Sequence, residues 1–378
     1  MDNLTRIICE ITQASDLEPL HTLQKFPVFM GCTQQNKVND KYYDMEWVIS
    51  RSSGAIQLKN LIPLNILYPE QHQAGTVGKL WAQHHKEFAQ FIHSFGVKNV
   101  VEIGGAHGIL SKEYSSLDNI PWTIIEPNPS PVKDCPAKFI KGFFDDQITI
   151  NSNVDTIVHS HVLEHIYHPR RFIKDIYDKL NIGNKLIFSV PNLREMLIQN
   201  YANALNFEHT IYISEEYIEY LLSEFGFKIL QKSFYLNDHS IFYAVEKIKE
   251  KTKLTLSQGL YEKNKSLFLD HINNTNNIVD YINKKIKEVD GPIFLFGAHI
   301  FSQYLIAYGL NTKNIINILD NEPLKHNSRL YGTDLIVTSP KILNQYISPN
   351  VILRAGVYNN EIKNDILKNI NKKTNFLQ

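Results

Sequence analysis

The feature that most constrains the fold lies between residues 98 and 190. Five short runs, KNVVEI, WTIIE, KFIK, DTIVHS and KLIFSV, are each of buried-strand type. Strands that are apolar nearly throughout need cover on both faces, which implies a parallel sheet flanked by helices. The covering helices are visible in the periodicity. LWAQHHKEFAQFIHSF places Trp81, Phe88, Phe91, Ile92 and Phe95 on one helical face. A second helix opens at Pro169 and turns Phe172, Ile173, Ile176 and Leu180 inward. A third, SEEYIEYLLSEFG, precedes two further strands, FKILQ and HSIFYAVE.

Around this centre the chain divides into three on pattern: residues 1–78, 79–248 and 249–378. The first part mixes short strand-like runs, EWVIS and AIQL, with turn residues. The third begins with a polar stretch, EKIKEKTKLTLSQGLYEKNK, that reads as a helical connection. A smaller βα pattern follows, through GPIFLFGAH, NIINILDN, LIVTSP and VILRAG. The 39 basic and 39 acidic side chains among 378 residues leave no electrostatic footprint for nucleic acid or an anionic membrane. Three cysteines make no disulfide framework, and the opening MDNLTRIICEITQASD has no basic-then-apolar leader. The expectation is a soluble cytoplasmic protein.

The stretch VVEIGGAHGIL, residues 100–110, holds the chemistry. A buried strand ends at Ile103, and Gly104, Gly105 and Gly108 let the backbone turn sharply and approach a ligand. Glu102 closes the strand. The next strand ends ~22 residues on at Glu126, where a dinucleotide-type fold places the acid that takes ribose hydroxyls. In order, EIGGAHG, IIEP, HSHVLEHI and GNKLIFSVPN resemble the motifs of class I S-adenosylmethionine-dependent methyltransferases. The resemblance spans about residues 85–247. It implies that residues 104–108 hold the methionine part of the cofactor and Glu126 the ribose. Phe143 or Phe144 of GFFDD would lie against the adenine, with His161 lining the pocket.

Beyond the core, the chain resembles bacterial nucleotide-sugar C-methyltransferases of deoxysugar biosynthesis. These combine a small N-terminal zinc module, a central methyltransferase domain and a C-terminal Rossmann-like α/β domain. FEHTIYIS, residues 207–214, resembles that family's Glu-His active-site pair. The resemblance makes His209 the candidate base, with Glu208 or another carboxylate setting its tautomer and His165 acting or orienting nearby. Substrate-side positions fall on His72, Asn206, Tyr212 and His239, although Asn206 and His72 replace aromatic residues and His239 has lost its glycine neighbours. Arg329 or Arg354 would meet the phosphates.

Metals are not expected. Where the family carries zinc-binding cysteines, this chain has Cys9, Thr12, Ser50 and Ser53. Hydroxyls are poor substitutes for thiolate. His159, His161, His165 and His168 are spaced temptingly, but one strand–loop–helix segment seldom gathers a ligand set. His84 and His85 read as a solvated helix turn. The expected partner is a small nucleotide sugar. The expected reaction is C-methylation through an enolate, with O-methylation of a sugar or other hydroxylated metabolite as the alternative.

Overall fold

The computed structural model describes residues 4–67, 78–145 and 148–378. The N-terminal part contains β1 (Leu17–Pro27), β2 (Cys32–Thr33), β3 (Tyr42–Ser50), β4 (Ile56–Leu58) and the single turn α1 (Leu64–Leu67). Strands β1, β3 and β4 form an antiparallel sheet in that order.

The centre contains α2 (Lys79–His93), β5 (Val100–Ile103), α3 (Ile109–Ser115), β6 (Trp122–Glu126), β7 (Lys138–Lys141), β8 (Thr156–Ser160), α4 (Pro169–Lys179) and β9 (Lys185–Pro191). It continues with α5 (Leu193–Ile198), α6 (Glu215–Phe225), β10 (Phe227–Tyr235) and β11 (Ser240–Lys247). One seven-stranded sheet runs β10-β11-β9-β8-β5-β6-β7. Strands β5 to β9 are mutually parallel, while β11 lies antiparallel between β9 and β10. The chain reverses its direction of strand addition at β5/β8, where an open α/β sheet leaves its binding crevice.

Helix α4 begins at Pro169 and buries Phe172, Ile173 and Ile176, as the sequence pattern implies. The polar stretch after β11 differs from expectation. It stays non-helical to Gly259, and α7 (Leu260–Glu288) begins only there. Residues 246–255 carry no apolar periodicity that packing could turn into a helix. Beyond it come β12 (Ile293–Phe296), α8 (Ile300–Ala307), β13 (Ile315–Leu319), β14 (Arg329–Leu330), β15 (Val337–Thr338), β16 (Asn350–Leu353), α9 (Asn359–Asp365) and β17 (Asn375–Leu377). A second, five-stranded parallel sheet has the order β15-β13-β12-β16-β17.

One apolar core joins N-terminal residues such as Cys9, Trp47 and Ile56 to Phe188 and Tyr217 of the centre and Phe268 of α7. The short antiparallel pair β2–β14 ties the N-terminal part to the C-terminal one. Among the described residues, no helix is long and apolar enough to cross a membrane.

Candidate active site

The carboxyl ends of the two parallel sheets meet across one cleft of about 1080 Å³. Its walls include Gly104 and Gly105 after β5, His161 and His165 after β8, His209, and Gly297, Asp320 and Lys325 from the second sheet. A site for one small ligand occupies roughly 300–1,000 Å³, so this cleft has room for a cofactor and an acceptor together.

The glycine loop is shaped as the sequence requires. Gly104 and Gly108 both have φ +70°, and a Cβ at Gly108 would stand 2.3 Å from Cys135 Sγ. A Cβ at Gly105 would meet the Glu102 carboxyl carbon at 2.7 Å. Glu102 is buried beneath this loop and accepts a hydrogen bond from Trp122 Nε1 at 2.8 Å. Burial pushes its carboxyl up to about 7. Glu126 accepts from the Ala106 N–H (3.1 Å) and the Asn128 N–H (3.0 Å), so its carboxylate is held at the loop. Phe144 packs edge-on against Phe172 at 5.7 Å, leaving Phe143, 57% exposed, as the ring open to a ligand. These residues fit an adenosyl cofactor: a loop without side-chain bulk, a fixed acid on the next strand, and an open ring.

A second group gathers opposite the loop. The rings of His165 and His209 stand nearly perpendicular with centroids 4.7 Å apart. His209 Nδ1 lies 3.1 Å from the Ala204 carbonyl, which fixes Nδ1–H as the donor and leaves Nε2 as the basic nitrogen. Burial lowers the His209 pKa, and the Glu164 carboxylate opposes that shift.

Of the two alternatives left open for the carboxylate beside His209, the geometry favours the one other than Glu208. Glu208 faces His165, with Oε2 3.8 Å from Nδ1, and the carboxylate acting on His209 is Glu164. Glu164 is 2% exposed, neither of its oxygens is hydrogen-bonded, and burial pushes it up to about 7. His161 Nδ1 lies 3.2 Å from its Oε1. The acid itself stands directly before His165 in HVLEHI, but the sequence does not show which way it points.

Other expected residues have different tasks. Asn206 lines the cleft, and its Oδ1 accepts the N–H groups of Glu208 (2.8 Å) and His209 (3.1 Å), so its carboxamide also shapes the turn that carries His209. Tyr212 is 1% exposed and packs into the core, away from the cleft. Arg329 is held by Asp40 through contacts of 2.7 and 2.6 Å and does not line the cleft, whereas Lys325 does. His84 is fully buried, with Nε2 3.0 Å from Ser189 Oγ, because its helix face packs on the sheet. His239 is buried in the cleft wall, with Nδ1 2.6 Å from Ser240 Oγ. His72 lies outside the described residues.

The histidines near HVLEHI diverge. His159 stacks on Phe188 and His168 faces Glu10. At the N-terminus, Cys9, Ser50 and Ser53 do converge: Cys9 Sγ is 3.5 Å from Ser53 Oγ, which donates to Ser50 Oγ at 2.8 Å. Ser50 Oγ donates to Asp16 at 2.8 Å. The Thr12 N–H points to Cys9 Sγ at 3.5 Å.

Residues 74–232 match the sequence model of a family described as a methyltransferase domain. No curated protein matches the chain. Solved structures similar to it include the N-methyltransferase NodS from Bradyrhizobium japonicum WM9, at 16% identity and TM-score 0.35, covering 45% of this chain and 97% of that one. Another is the Burkholderia thailandensis 1,6-didemethyltoxoflavin-N1-methyltransferase with S-adenosylhomocysteine, at 12% identity and TM-score 0.39, covering 54% and 96%. TM-scores this low leave the argument to topology. The order β10-β11-β9-β8-β5-β6-β7, with β11 reversed, is that of class I methyltransferases. Sheet order and family match together make the centre of this chain a methyltransferase domain with the class I α/β fold, and the chain an enzyme.

Proposed function

We propose that the enzyme methylates a keto-deoxysugar carried on a nucleotide, at the carbon beside the ketone. The observation that carries this reading is the pair of imidazoles, with Glu208 and Glu164 beside them, in the cleft that the glycine loop also lines. A carbon beside a ketone becomes nucleophilic only when a proton leaves it, so the site needs a base and a partner for the enolate oxygen. His209 Nε2 takes the proton, and the negative Glu164 steadies the imidazolium that forms. The electron pair of the broken C–H bond moves to the ketone oxygen, which accepts a hydrogen bond from Nε2–H of a doubly protonated His165 whose Nδ1–H faces Glu208. Glu208 orients His165. When bound, S-adenosylmethionine supplies the methyl group from its sulfonium. On the opposite wall, Lys325 and Lys368 are placed to meet a diphosphate. No metal enters this reading, and the hydroxyls of Ser50 and Ser53 stand in for zinc at the N-terminus.

One observation favours O-methylation as a second reading. Tyr212 is buried in the core, which leaves the acceptor oxygen to the imidazoles. Such a pair deprotonates a hydroxyl equally well. A mass-spectrometric assay in heavy water separates the two, using a panel of keto-sugar nucleotides, their reduced counterparts, and His209→Asn. C-methylation predicts a methyl gained only by a ketone, deuterium entering the adjacent carbon of unreacted ketone, and loss of both in the variant. Methyl gain on a reduced sugar supports O-methylation instead.

A further inference from the structure

Three histidines from widely separated parts of the chain meet at the cleft, two in its wall and the third, His84, buried directly behind them. His84 comes from α2, His161 follows β8, and His239 precedes β11. Their ring centroids form a near-equilateral triangle: 5.3 Å for His84–His161, 5.3 Å for His84–His239 and 6.0 Å for His161–His239. One ring nitrogen from each lies within 4.8 Å of those from the other two. Three imidazoles on a tetrahedral ion, with metal–nitrogen bonds of about 2.0–2.1 Å, have centroids roughly 5 Å apart. We propose that His84, His161 and His239 bind a divalent transition-metal ion of the zinc class, with a fourth position open to the cleft for an oxygen ligand.

The surroundings support this assignment. His161 Nδ1 faces the Glu164 carboxylate at 3.2 Å, which leaves Nε2 for an ion. A carboxylate on the second ring nitrogen is the usual outer partner of a ligating histidine. His161 holds φ +53°, a left-handed conformation that costs a side-chain-bearing residue energy and here aims the ring at the other two. His84 Nδ1 is buried without a hydrogen-bond partner. A single hydroxyl, Ser240 Oγ, lies 2.8 Å from His161 Nε2 and 2.6 Å from His239 Nδ1, donating to one and accepting from the other, so it sits between the two rings where an ion would bind. The Trp81 ring stands edge-on to His84, His161 and His239 at 5.0, 4.9 and 5.1 Å, and so forms an apolar cover. Burial keeps all three imidazoles neutral, the form that ligates. An all-nitrogen set suits zinc, nickel or copper and not magnesium or calcium.

Its three ligands differ from Glu164, His165 and His209, which also lie close together and are assigned above to proton transfer; Glu164 touches both groups. It also differs from the histidines that spacing alone brings to mind, since only His161 belongs to both. The proposal does not depend on the identity of the methyl acceptor.

The test is titration of the metal-stripped full-length chain with Co²⁺. One equivalent should bind and give the visible absorption of a tetrahedral nitrogen-ligated ion. Affinity should fall by more than about 100-fold in His84→Asn and in His239→Gln, a larger loss than removal of an outer partner gives. His165→Gln and Cys9→Ser should bind as wild type does. Absence of stoichiometric binding, or binding that survives both His84→Asn and His239→Gln, would overturn the proposal. So would a loss seen in His165→Gln instead, which would put the ion at the proton-transfer cluster. Circular dichroism checks that each variant is folded. If either is not, X-ray absorption of the zinc-loaded wild type decides: imidazole scattering from three ligands supports the site, and sulfur or fewer imidazoles excludes it.

Discussion

At the scale of single residues, the glycine loop serves stability and function together, whereas Glu164 sets one against the other. Gly108→Ala adds a Cβ into Cys135 Sγ at a left-handed backbone position. That conformation costs an alanine about 1–2 kcal/mol before the clash is counted. The variant should melt earlier and bind S-adenosylhomocysteine more weakly, read by calorimetry. Glu164→Gln should do the reverse for stability. It removes a buried carboxylate whose oxygens lack hydrogen bonds, so the melting temperature at about pH 8 should rise. Methyl transfer should fall by roughly tenfold or more, because His209 loses its carboxylate. The glycines were legible because only they tolerate those angles beside those neighbours. Glu164 was not, because LEHI does not say which way a single helical turn points its acid. The sequence is equally silent about Asn206, whose Oδ1 accepts the N–H groups two and three residues on.

At the scale of elements, strands buried on both faces announced themselves and edge strands did not. β5, β8 and β9 are near-continuous apolar runs. β1, by contrast, contains Pro19 and has irregular register at Pro19/His21 and Leu23/Phe26, which breaks the alternation that marks a strand. The pairing of β2 with β14 was invisible, since two-residue strands have no period. Its anchor is the Arg329–Asp40 pair, whose side chains are 9% and 1% exposed. Asp40→Ala strands a buried guanidinium and should destabilise the chain by about 3 kcal/mol, measured by denaturant unfolding. Replacing both partners with apolar residues should cost much less.

At the scale of the whole molecule, both parallel sheets were readable, but nothing in the sequence says that their carboxyl edges face one another. That arrangement gathers buried histidines, and it sets the response to acid. His159, His161 and His239 are held down to about 3 and His271 to about 4, all by burial. Once unfolded they return to 6.5, so below that pH the unfolded chain takes up protons that the folded chain refuses. Glu102 and Glu164 act oppositely between 4.5 and about 7, where the folded chain keeps protons that the unfolded chain has shed. Four histidines outweigh two carboxyls, so stability should fall as pH drops from 6.5 towards 4.5. A calorimetric series from about pH 8 to about pH 5 checks this, and a melting temperature that climbs on acidification would contradict it.

Trp81 gives the molecule a reporter of its own. Of the three tryptophans, Trp47 and Trp122 are sealed in apolar cores, while Trp81 lines the cleft and donates its indole N–H to Tyr358 of the C-terminal part at 2.7 Å. Its emission therefore registers three events without any label: a ligand entering the cleft, an imidazole beside it gaining a proton, and the two sheets parting.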